Sequence, residues 1–332
     1  MRFTMNAMAG AALLAVASIQ PAAAECGRVT IADMNWASAE FAAYVDKIIL
    51  EEGYGCEVEL VPGDTMPTST SMMEKSEPDI APELWVNAVK TALDRAVAEG
   101  RLVYAAEILK DGGEEGWWIP EYFAKAHPEI KTVDDLFKHP DLFPNPENPG
   151  KGAFYGCPAG WNCQLTTANL FKAYGAAAKG WELIDPGSAA GLDGSIAKAY
   201  ERKQAWAGYY WAPTSILGKY PMVKLDFGVP HDAKHWHSCT ALADCADPKK
   251  NSWPSSDVYT VVTPRFAKAS PTGMEYLSKR GWSNKVANTV LAYMADNQYT
   301  GEDGAIYFLK TYPDLWKAWV SADAAKKIEA SL

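Results

Sequence analysis

The order of strand and helix patterns in the first hundred residues most constrains how this chain folds. Strand patterns occur at RVTIADMNW (28–36), at CEVELVPG (56–63) and near residues 80–86. An amphipathic helix at 37–55, with Ser38 as its candidate N-cap, and a short helix after residue 63 separate them. Because strands that alternate with helices pair in parallel, the sequence predicts an α/β fold with a mostly parallel sheet flanked by helices.

The rest of the chain predicts a second α/β region inserted into the first. Strand patterns at 223–230 and 257–271 are expected to return to the first sheet, and the C-terminal third has helical periodicity. We therefore predict two lobes with a ligand cleft between them. The predicted bounds are 26–112 plus 223–332 for lobe I, and 113–222 for lobe II.

The N-terminus has the pattern of a secretory signal peptide. Arg2 is followed by a short apolar run, and Ala22–Ala24 match a small-residue cleavage site. We expect cleavage near Ala24 and a soluble, monomeric protein in the periplasm. The net charge of −10 at pH 7 gives no electrostatic reason to bind nucleic acid or anionic lipid.

Six cysteines follow the predicted cleavage site, and an even number in an oxidising compartment suggests disulfides. Several pairings are possible. Proximity favours the two pairs that have five residues between their members, which leaves one pair far apart in sequence. The predicted disulfides are Cys157–Cys163, Cys239–Cys245 and Cys26–Cys56. A loop as short as 157–163 gains only about 2 kcal/mol of stability, so its bond is better suited to fixing local shape.

A zinc site is the alternative interpretation of the segment 231–245. His235, His237, Cys239 and Cys245 offer four ligand types that zinc accepts. The spacing, however, lacks the close C-x2-C pair of many zinc sites, and an oxidising compartment favours the disulfide. We therefore expect a cross-linked surface loop without a metal.

Sequence motifs give little support for catalysis. The chain lacks G-x-S-x-G, the phosphate-binding G-x-x-x-x-G-K-[ST] pattern, H-E-x-x-H and G-x-G-x-x-G. Because carboxylates are plentiful, the sequence does not exclude catalysis by a pair of them, and a hydrolase or lyase is the first rival class. We expect a binding protein that is not an enzyme and uses no cofactor.

The chain contains 13 tryptophans, more than packing alone requires. One group lies on predicted helices or loops and is expected to be structural: Trp181, Trp206, Trp236, Trp253, Trp282, Trp316 and Trp319. A second group lies where predicted strands end, or in the cross-linked loop: Trp36, Trp85, Trp117, Trp118, Trp161 and Trp211. Because strand C-termini face the cleft in parallel α/β lobes, several indoles of this second group are expected to converge there.

Converging indole faces suit one kind of ligand particularly well. Their negative quadrupoles attract a methylated ammonium group, by about 0.5–2 kcal/mol for each face. A sugar could also stack on such rings, but sugars require many Asp, Asn and Arg partners, which these segments lack. A sugar- or peptide-binding protein is therefore the second rival class.

Three of these segments resemble periplasmic glycine betaine-binding proteins, the substrate-binding components of ABC transporters. GCPAGWNC (156–163) resembles their disulfide-closed tryptophan loop, while LWVNAV (84–89) and YYWAP (209–213) resemble their lobe I and lobe II tryptophan segments. The resemblance implies the two-lobed periplasmic binding protein fold, type II-like, and a membrane permease as partner. It implies that Trp85, Trp161 and Trp211 are cage walls, and it extends this role to Trp36 and, less closely, to Trp117.

The whole pattern, including EEGWWIPEYF (114–123), is most similar to the trimethylamine N-oxide-binding members of this family. Such a ligand has one oxide acceptor, which a protonated acid can bind. Glu115 is the candidate because it shares a strand face with Trp117, while Trp118 points the other way and is expected in the core. Trimethylamine N-oxide is the predicted ligand, with glycine betaine, choline or carnitine as the alternative.

Overall fold

A computed structural model of the protein describes residues 27–87 and 89–332, so the predicted signal peptide and Cys26 lie outside the described residues. The strands are β1 (Arg28–Met34), β2 (Glu57–Gly63), β3 (Ile80–Trp85), β4 (Val103–Glu107), β5 (Gly113–Pro120), β6 (Gly152–Tyr155), β7 (Trp181–Ile184), β8 (Gly208–Ala212), β9 (Met222–Lys224), β10 (Ser255–Ser256) and β11 (Val258–Val262). The helices before β8 are α1 (Ala37–Ile48), α2 (Thr65–Lys75), α3 (Lys90–Ala98), α4 (Glu121–Ala126), α5 (Val133–Leu136), α6 (Asn162–Ala173) and α7 (Ala189–Arg202). The later helices are α8 (Ser215–Lys219), α9 (Ala233–His235), α10 (Pro264–Ala269), α11 (Pro271–Lys279), α12 (Asn284–Asn297), α13 (Gly301–Thr311), α14 (Pro313–Lys317) and α15 (Ala322–Ser331).

These strands form two mixed sheets, one in each lobe. The lobe I sheet has the order β2-β1-β3-β11-β4, in which β2, β1 and β3 are parallel and β11 is antiparallel to both of its neighbours. The lobe II sheet has the order β10-β5-β8-β6-β7, with β9 also paired to β5 and with β8, β6 and β7 parallel. The predicted pair of α/β lobes is confirmed, and the parallel part of each sheet has three strands.

The chain returns to lobe I later than the sequence predicted. The short strands β9 and β10 both pair with β5 in the lobe II sheet, and the loop between them packs there through Trp253, which contacts Phe227 at 6.2 Å between ring centroids. The second crossing is therefore at residue 257, not 223. Strands of two or three residues are too short to show a periodicity, so the sequence could not assign them to a sheet.

The two crossings between the lobes run side by side. Before the crossing Glu107 of β4 pairs with Tyr259 of β11, and after it Gly113 of β5 pairs with Ser256 of β10. Antiparallel pairing is thus found on both sides of the crossing, interrupted by residues 108–112. The two lobes are therefore joined by two adjacent chain segments.

Helix α1 begins in an unusual way, and this affects the cleft. Its N-cap residue is Trp36, in extended conformation and without a side-chain cap, although Ser38 was the predicted N-cap. The Ser38 hydroxyl instead donates to the buried Glu83 carboxylate at 2.7 Å. By contrast, α12 and α15 are capped by Ser283 and Ser321 in the ordinary way. Helix α1 therefore lacks a side-chain capping bond, and a tryptophan occupies the N-cap position at the end of β1.

A buried ion pair joins three elements of lobe I. Arg280 Nη2 donates to Asp46 Oδ2 at 2.7 Å and to the Pro82 carbonyl at 3.2 Å, and the Tyr276 hydroxyl donates to Asp46 Oδ1 at 2.5 Å. Both charged side chains are fully buried. Such a pair contributes little compared with a well-packed apolar pair, but the loss of one partner leaves an uncompensated buried charge.

We predict that Arg280→Met lowers the free energy of unfolding by about 3–5 kcal/mol, because it leaves the Asp46 carboxylate without its counter-ion. The matched control is Arg28→Met, whose salt bridge to Glu59 is solvent-exposed, so that its loss is expected to change the free energy of unfolding far less. Urea unfolding followed by tryptophan fluorescence measures both. Equal losses in the two variants would contradict the importance of the buried pair.

In the part of the chain that the structure describes, no helix is both long enough and apolar enough to span a membrane.

Candidate ligand-binding site

Four tryptophans converge in the cleft between the lobes, and we call them the indole cage: Trp36, Trp85, Trp161 and Trp211. The first two are from lobe I and the last two from lobe II. The cavity between them is small, with a volume of about 20 Å³, and part of it is open to solvent. This volume is far below the range of about 300–1,000 Å³ that is usual for drug-sized ligands, so the four rings lie close together and only a very small ligand suits the space.

The rings of the indole cage stand edge to face. Trp161 lies 5.4 Å from Trp36 and 5.0 Å from Trp211 between ring centroids, at interplanar angles of 70° and 81°. Each of the four side chains is only 5–6 % exposed. The arrangement presents ring faces in different directions around one space, as a cation bound by several faces requires.

A single buried carboxylate holds the two lobe I walls. Glu83 Oε1 accepts hydrogen bonds from the indole N–H of Trp36 at 2.8 Å and of Trp85 at 3.0 Å. Glu83 is fully buried, two residues before Trp85 on the same face of β3. Gly113 lies directly against Trp85, since a Cβ there would be 2.3 Å from the ring atom Cζ3. The wall is thus fixed from two sides.

The cross-linked loop reaches across the cleft. A disulfide joins Cys157 and Cys163, as predicted. The indole N–H of Trp161 donates to Asn35 Oδ1 of lobe I at 2.7 Å, and Asn162 Nδ2 donates to the Trp85 carbonyl at 2.8 Å. The structure therefore has the lobes in contact across the cage.

Glu115 faces the cage from lobe II, as the sequence predicted, and both of its carboxyl oxygens accept hydrogen bonds. It lies opposite Trp211 on the neighbouring strand. Its Oε1 accepts from the Tyr209 hydroxyl at 2.9 Å, and its Oε2 accepts from the Ser256 hydroxyl at 2.5 Å. Asn87 of lobe I donates to the same Oε2 at 3.4 Å, so both lobes contribute to this network.

Burial raises the pKa of Glu115 above its ordinary value, while hydrogen bonds from Ser256 and Tyr209 oppose the rise. The carboxyl is 1 % exposed, so removal from water penalises its ionised form. A buried acid next to a small apolar cavity can hold a proton that an acceptor on a ligand would share.

The cage also has a polar end formed by a helix. Trp161 is the N-cap of α6 and provides no side-chain cap, while Asn162 and Cys163 at its first turn line the cage. A helix N-terminus favours negative charge. Among the described residues that line the space, none is Lys, Arg or His, so positive potential there comes from the helix N-terminus and from neutral donor groups.

Trp117 does not lie where it was predicted. It shares a strand face with Glu115 but is fully buried in the lobe II core, with ring centroids 4.7 Å from Phe154 and 5.2 Å from Phe227. Two residues along a strand advance the chain by about 6.6 Å, which moves this ring below the floor of the cage. Trp118 is a core residue, as expected, and donates to the Tyr210 carbonyl at 3.0 Å.

The other sequence predictions for tryptophan and cysteine agree with the structure where it describes them. The seven tryptophans predicted to be structural are all buried: Trp181, Trp206, Trp236, Trp253, Trp282, Trp316 and Trp319. Cys239 and Cys245 are joined by a disulfide, so their sulfurs are not free for a metal, although His235 is close enough to form a cluster with them. The predicted Cys26–Cys56 pair involves Cys26, which lies outside the described residues.

Sequence reasoning missed Glu83 and Tyr209. Each lies two residues before a cage tryptophan on the same strand, Glu83 before Trp85 and Tyr209 before Trp211. Tyr209 stacks on Trp211 at 6.2 Å with an interplanar angle of 21°. Period-2 alternation places both side chains on the face that their tryptophan occupies, and this signal could have identified them.

Residues 27–311 match the profile of a family described as the substrate binding domain of ABC-type glycine betaine transport systems. The match covers most of the chain, including both lobes and all four residues of the indole cage.

Solved structures share the fold at low sequence identity. A glycine betaine/L-proline-binding protein (ProX) from Borrelia burgdorferi is 18% identical, with a TM-score of 0.70 over 91% of this chain and 99% of that one. Lactococcal OpuAC, in a closed conformation with glycine betaine, is 18% identical, with a TM-score of 0.67 over 89% of this chain and 100% of that one. A choline-binding protein in complex with choline is 18% identical, with a TM-score of 0.70 over 92% and 98% of the two chains.

We predict that replacing both Cys157 and Cys163 by Ser weakens ligand binding more than it weakens the fold. The cross-link closes a short loop, so its loss costs about 2 kcal/mol of stability or less. Trp161 would then have to be ordered when the ligand binds, which raises the dissociation constant. Calorimetric titration and thermal unfolding test this, with Cys239→Ser/Cys245→Ser as the matched control. Equal effects of the two double variants on affinity would contradict it.

Proposed function

Because this chain belongs to the family of substrate-binding domains of ABC-type glycine betaine transport systems, we propose that it binds a small trimethylammonium-type solute in the indole cage. Proteins of this family serve transport and are not enzymes. The best candidate ligand is trimethylamine N-oxide. The observation that carries this choice is the buried carboxyl of Glu115, which faces the cage. None of the described residues that line the cage has a cationic side chain.

The walls account for the ammonium end of the ligand. A trimethylated nitrogen is cationic but donates no strong hydrogen bonds, so it gains more from ring faces than from polar partners. Each face contributes about 0.5–2 kcal/mol, and more when water is excluded. Four largely buried indoles can therefore supply a large part of micromolar binding, which corresponds to about 8 kcal/mol.

The side of the cage that Glu115 lines favours an oxide over a carboxylate. The raised pKa of Glu115 allows a proton to lie between its carboxyl and the ligand oxygen. The single oxygen of an N-oxide can share that proton. The carboxylate of glycine betaine brings a full negative charge, which an ionised Glu115 would repel, and a Lys or Arg partner is missing among the described lining residues.

Glycine betaine is the second candidate, and one observation favours it. The N-terminus of α6 borders the cage through Asn162 and Cys163, and such a terminus can bind a carboxylate through backbone N–H groups. In that case the function would be osmoprotectant uptake. Choline or carnitine would fit the same walls with other polar ends.

We further propose that the mature protein works in the periplasm as a monomer, after removal of residues 1–24. Closure of the two lobes around the ligand would present a composite surface to the permease of an ABC importer. The hydrogen bonds of Trp161 and Asn162 across the cleft support a closed form of this kind.

Titration of the mature protein with trimethylamine N-oxide, glycine betaine, choline and carnitine tests the proposed function. We expect micromolar binding of the N-oxide and much weaker binding of glycine betaine. Trp161→Ala and Trp211→Ala are each expected to weaken binding at least tenfold, because each removes a wall. Intrinsic fluorescence, checked by calorimetry, measures the affinities.

The matched control is Tyr299→Ala, which removes an aromatic ring that is 44% exposed and is not among the lining residues. Its affinity should equal that of the wild type. Tighter binding of glycine betaine would keep the transport function and overturn the choice of ligand. Unchanged affinity in both cage variants would overturn the cage itself.

Glu115 makes the pH dependence of binding diagnostic. Binding of the neutral N-oxide to an ionised Glu115 requires uptake of one proton. Affinity should therefore fall with rising pH, by up to about tenfold per unit above the pKa of Glu115 in the free protein. Tetramethylammonium, which has no oxide, should bind more tightly as Glu115 ionises. Glu115→Gln should remove both trends.

The control for this experiment is Glu114→Gln. Glu114 is the neighbouring residue, but its side chain is 56% exposed and pairs with Lys224. It should keep both pH trends of the wild type. If Glu115→Gln shows the affinity and pH profile of the wild type, Glu115 takes no part in binding.

A further inference from the structure

A second carboxyl lies behind the indole cage and has no contact with the ligand space. Glu83 is fully buried and is not among the residues that line the cage. It is nevertheless bonded to two of the four walls. An inference about its role rests on the proposed function, since it concerns how the cage selects its ligand.

The hydrogen bonds of Glu83 are unevenly distributed. Oε1 accepts from Trp36, Ser38 and Trp85 at 2.7–3.0 Å. Oε2 is buried and has no hydrogen-bond partner among the described residues. Three donors directed at one oxygen are the arrangement expected for an ionised acceptor, because a protonated carboxyl would need an acceptor for its own O–H group.

The buried charges around Glu83 do not balance. The nearest buried cation is Arg280, which also stabilises the ionised form of Glu83 through its charge. Arg280 is already paired with Asp46 at 2.7 Å. Asp46, Arg280 and an ionised Glu83 together carry one negative charge in the fully buried interior next to the cage.

We propose that Glu83 is a specificity-determining residue, whose buried negative charge acts through the indoles of Trp36 and Trp85 as the counter-charge of the ligand's quaternary nitrogen. Each indole donates its N–H to this carboxylate, which polarises the ring and makes its face more attractive to a cation. The bound cation neutralises the excess charge of the lobe I interior.

This role complements that of Glu115. Glu83 lies in lobe I behind the walls, whereas Glu115 lies in lobe II and lines the space itself. Burial raises the pKa of Glu83, and the three donated hydrogen bonds oppose that rise. A cation in the cage further favours the ionised form of Glu83. Glu83 thus stabilises the positive end of the ligand, and Glu115 binds its oxygen.

The test compares a charged ligand with an uncharged molecule of similar shape. Glu83→Gln keeps an oxygen acceptor for the two indoles and removes the charge. Tetramethylammonium and tert-butanol are titrated against wild type and variant by calorimetric competition. We expect the preference for tetramethylammonium over tert-butanol to fall at least tenfold in Glu83→Gln, while the melting temperature stays equal or rises. If Glu83 had only a structural role, the substitution would weaken the binding of both ligands equally and leave the preference unchanged. That result would overturn the proposal.

A second variant keeps the test decisive if Glu83→Gln binds neither ligand. Glu83→Asp retains the charge but shortens the side chain, so its affinity for tetramethylammonium should exceed that of Glu83→Gln at least tenfold. An equal loss of affinity for tetramethylammonium in Glu83→Asp and Glu83→Gln would overturn the proposal. Asp79→Asn is the matched control, because Asp79 is a buried carboxylate before the opposite end of β3 and is bonded to Thr30. Its preference between the ligands should equal that of the wild type.

Failure of this inference can be told apart from failure of the proposed function. If the wild type binds no trimethylammonium compound, the proposed function is wrong whatever Glu83 does. If the wild type binds such compounds and Glu83→Gln binds them equally well, only the role of Glu83 is wrong.

Discussion

The paired crossing between the lobes is the constraint on which the ligand site depends. Strand β5 leaves that crossing with Gly113 packed against Trp85, and Glu115 follows two residues later. The strand that connects the lobes therefore also sets the distance between a lobe I wall and the lobe II acid. A side chain at Gly113 would separate them, since its Cβ would overlap the indole.

Burying two acids near one apolar cavity costs desolvation free energy, and the fold offsets this cost differently for each acid. Glu83 receives three donors from its own lobe, whereas Glu115 receives donors from both lobes, including Asn87 from lobe I. Contact between the lobes thus adds one donor, from Asn87, that partly offsets the desolvation of Glu115. The stability of the closed form and the state of this carboxyl are therefore linked.

The sequence predicted the parts of the site that follow from the direction of strands. Trp36, Trp85 and Trp211 were predicted because strand C-termini face the cleft, and the structure brings them together with Trp161. The prediction that Trp117 lines the cage was wrong for a related reason. Strand alternation gives the face of a side chain but not its depth below the sheet edge, and only tertiary packing decides whether a ring reaches the cavity or the core.

The crossing at residue 257 and the hydrogen-bond partners of Glu83 could not be predicted for other reasons. β9 and β10 join the lobe II sheet through two or three residue pairs, and such short strands carry no periodic signal. Glu83 stands in the otherwise uncharged strand IAPELW, where its charge alone does not indicate a partner. Its three donors come from two separate segments of the chain, and they are recognisable only after those segments have packed.

The cross-linked loop has a consequence for the kinetics of ligand exchange. The same short loop supplies Trp161 as a wall and, through Gly160, Trp161 and Asn162, three hydrogen bonds to lobe I. Opening the cleft breaks these bonds, so they add to the barrier that opposes opening around a bound ligand. Related solutes that meet the same open cleft should therefore arrive at similar rates and differ in residence time, so that discrimination among them resides in the dissociation step.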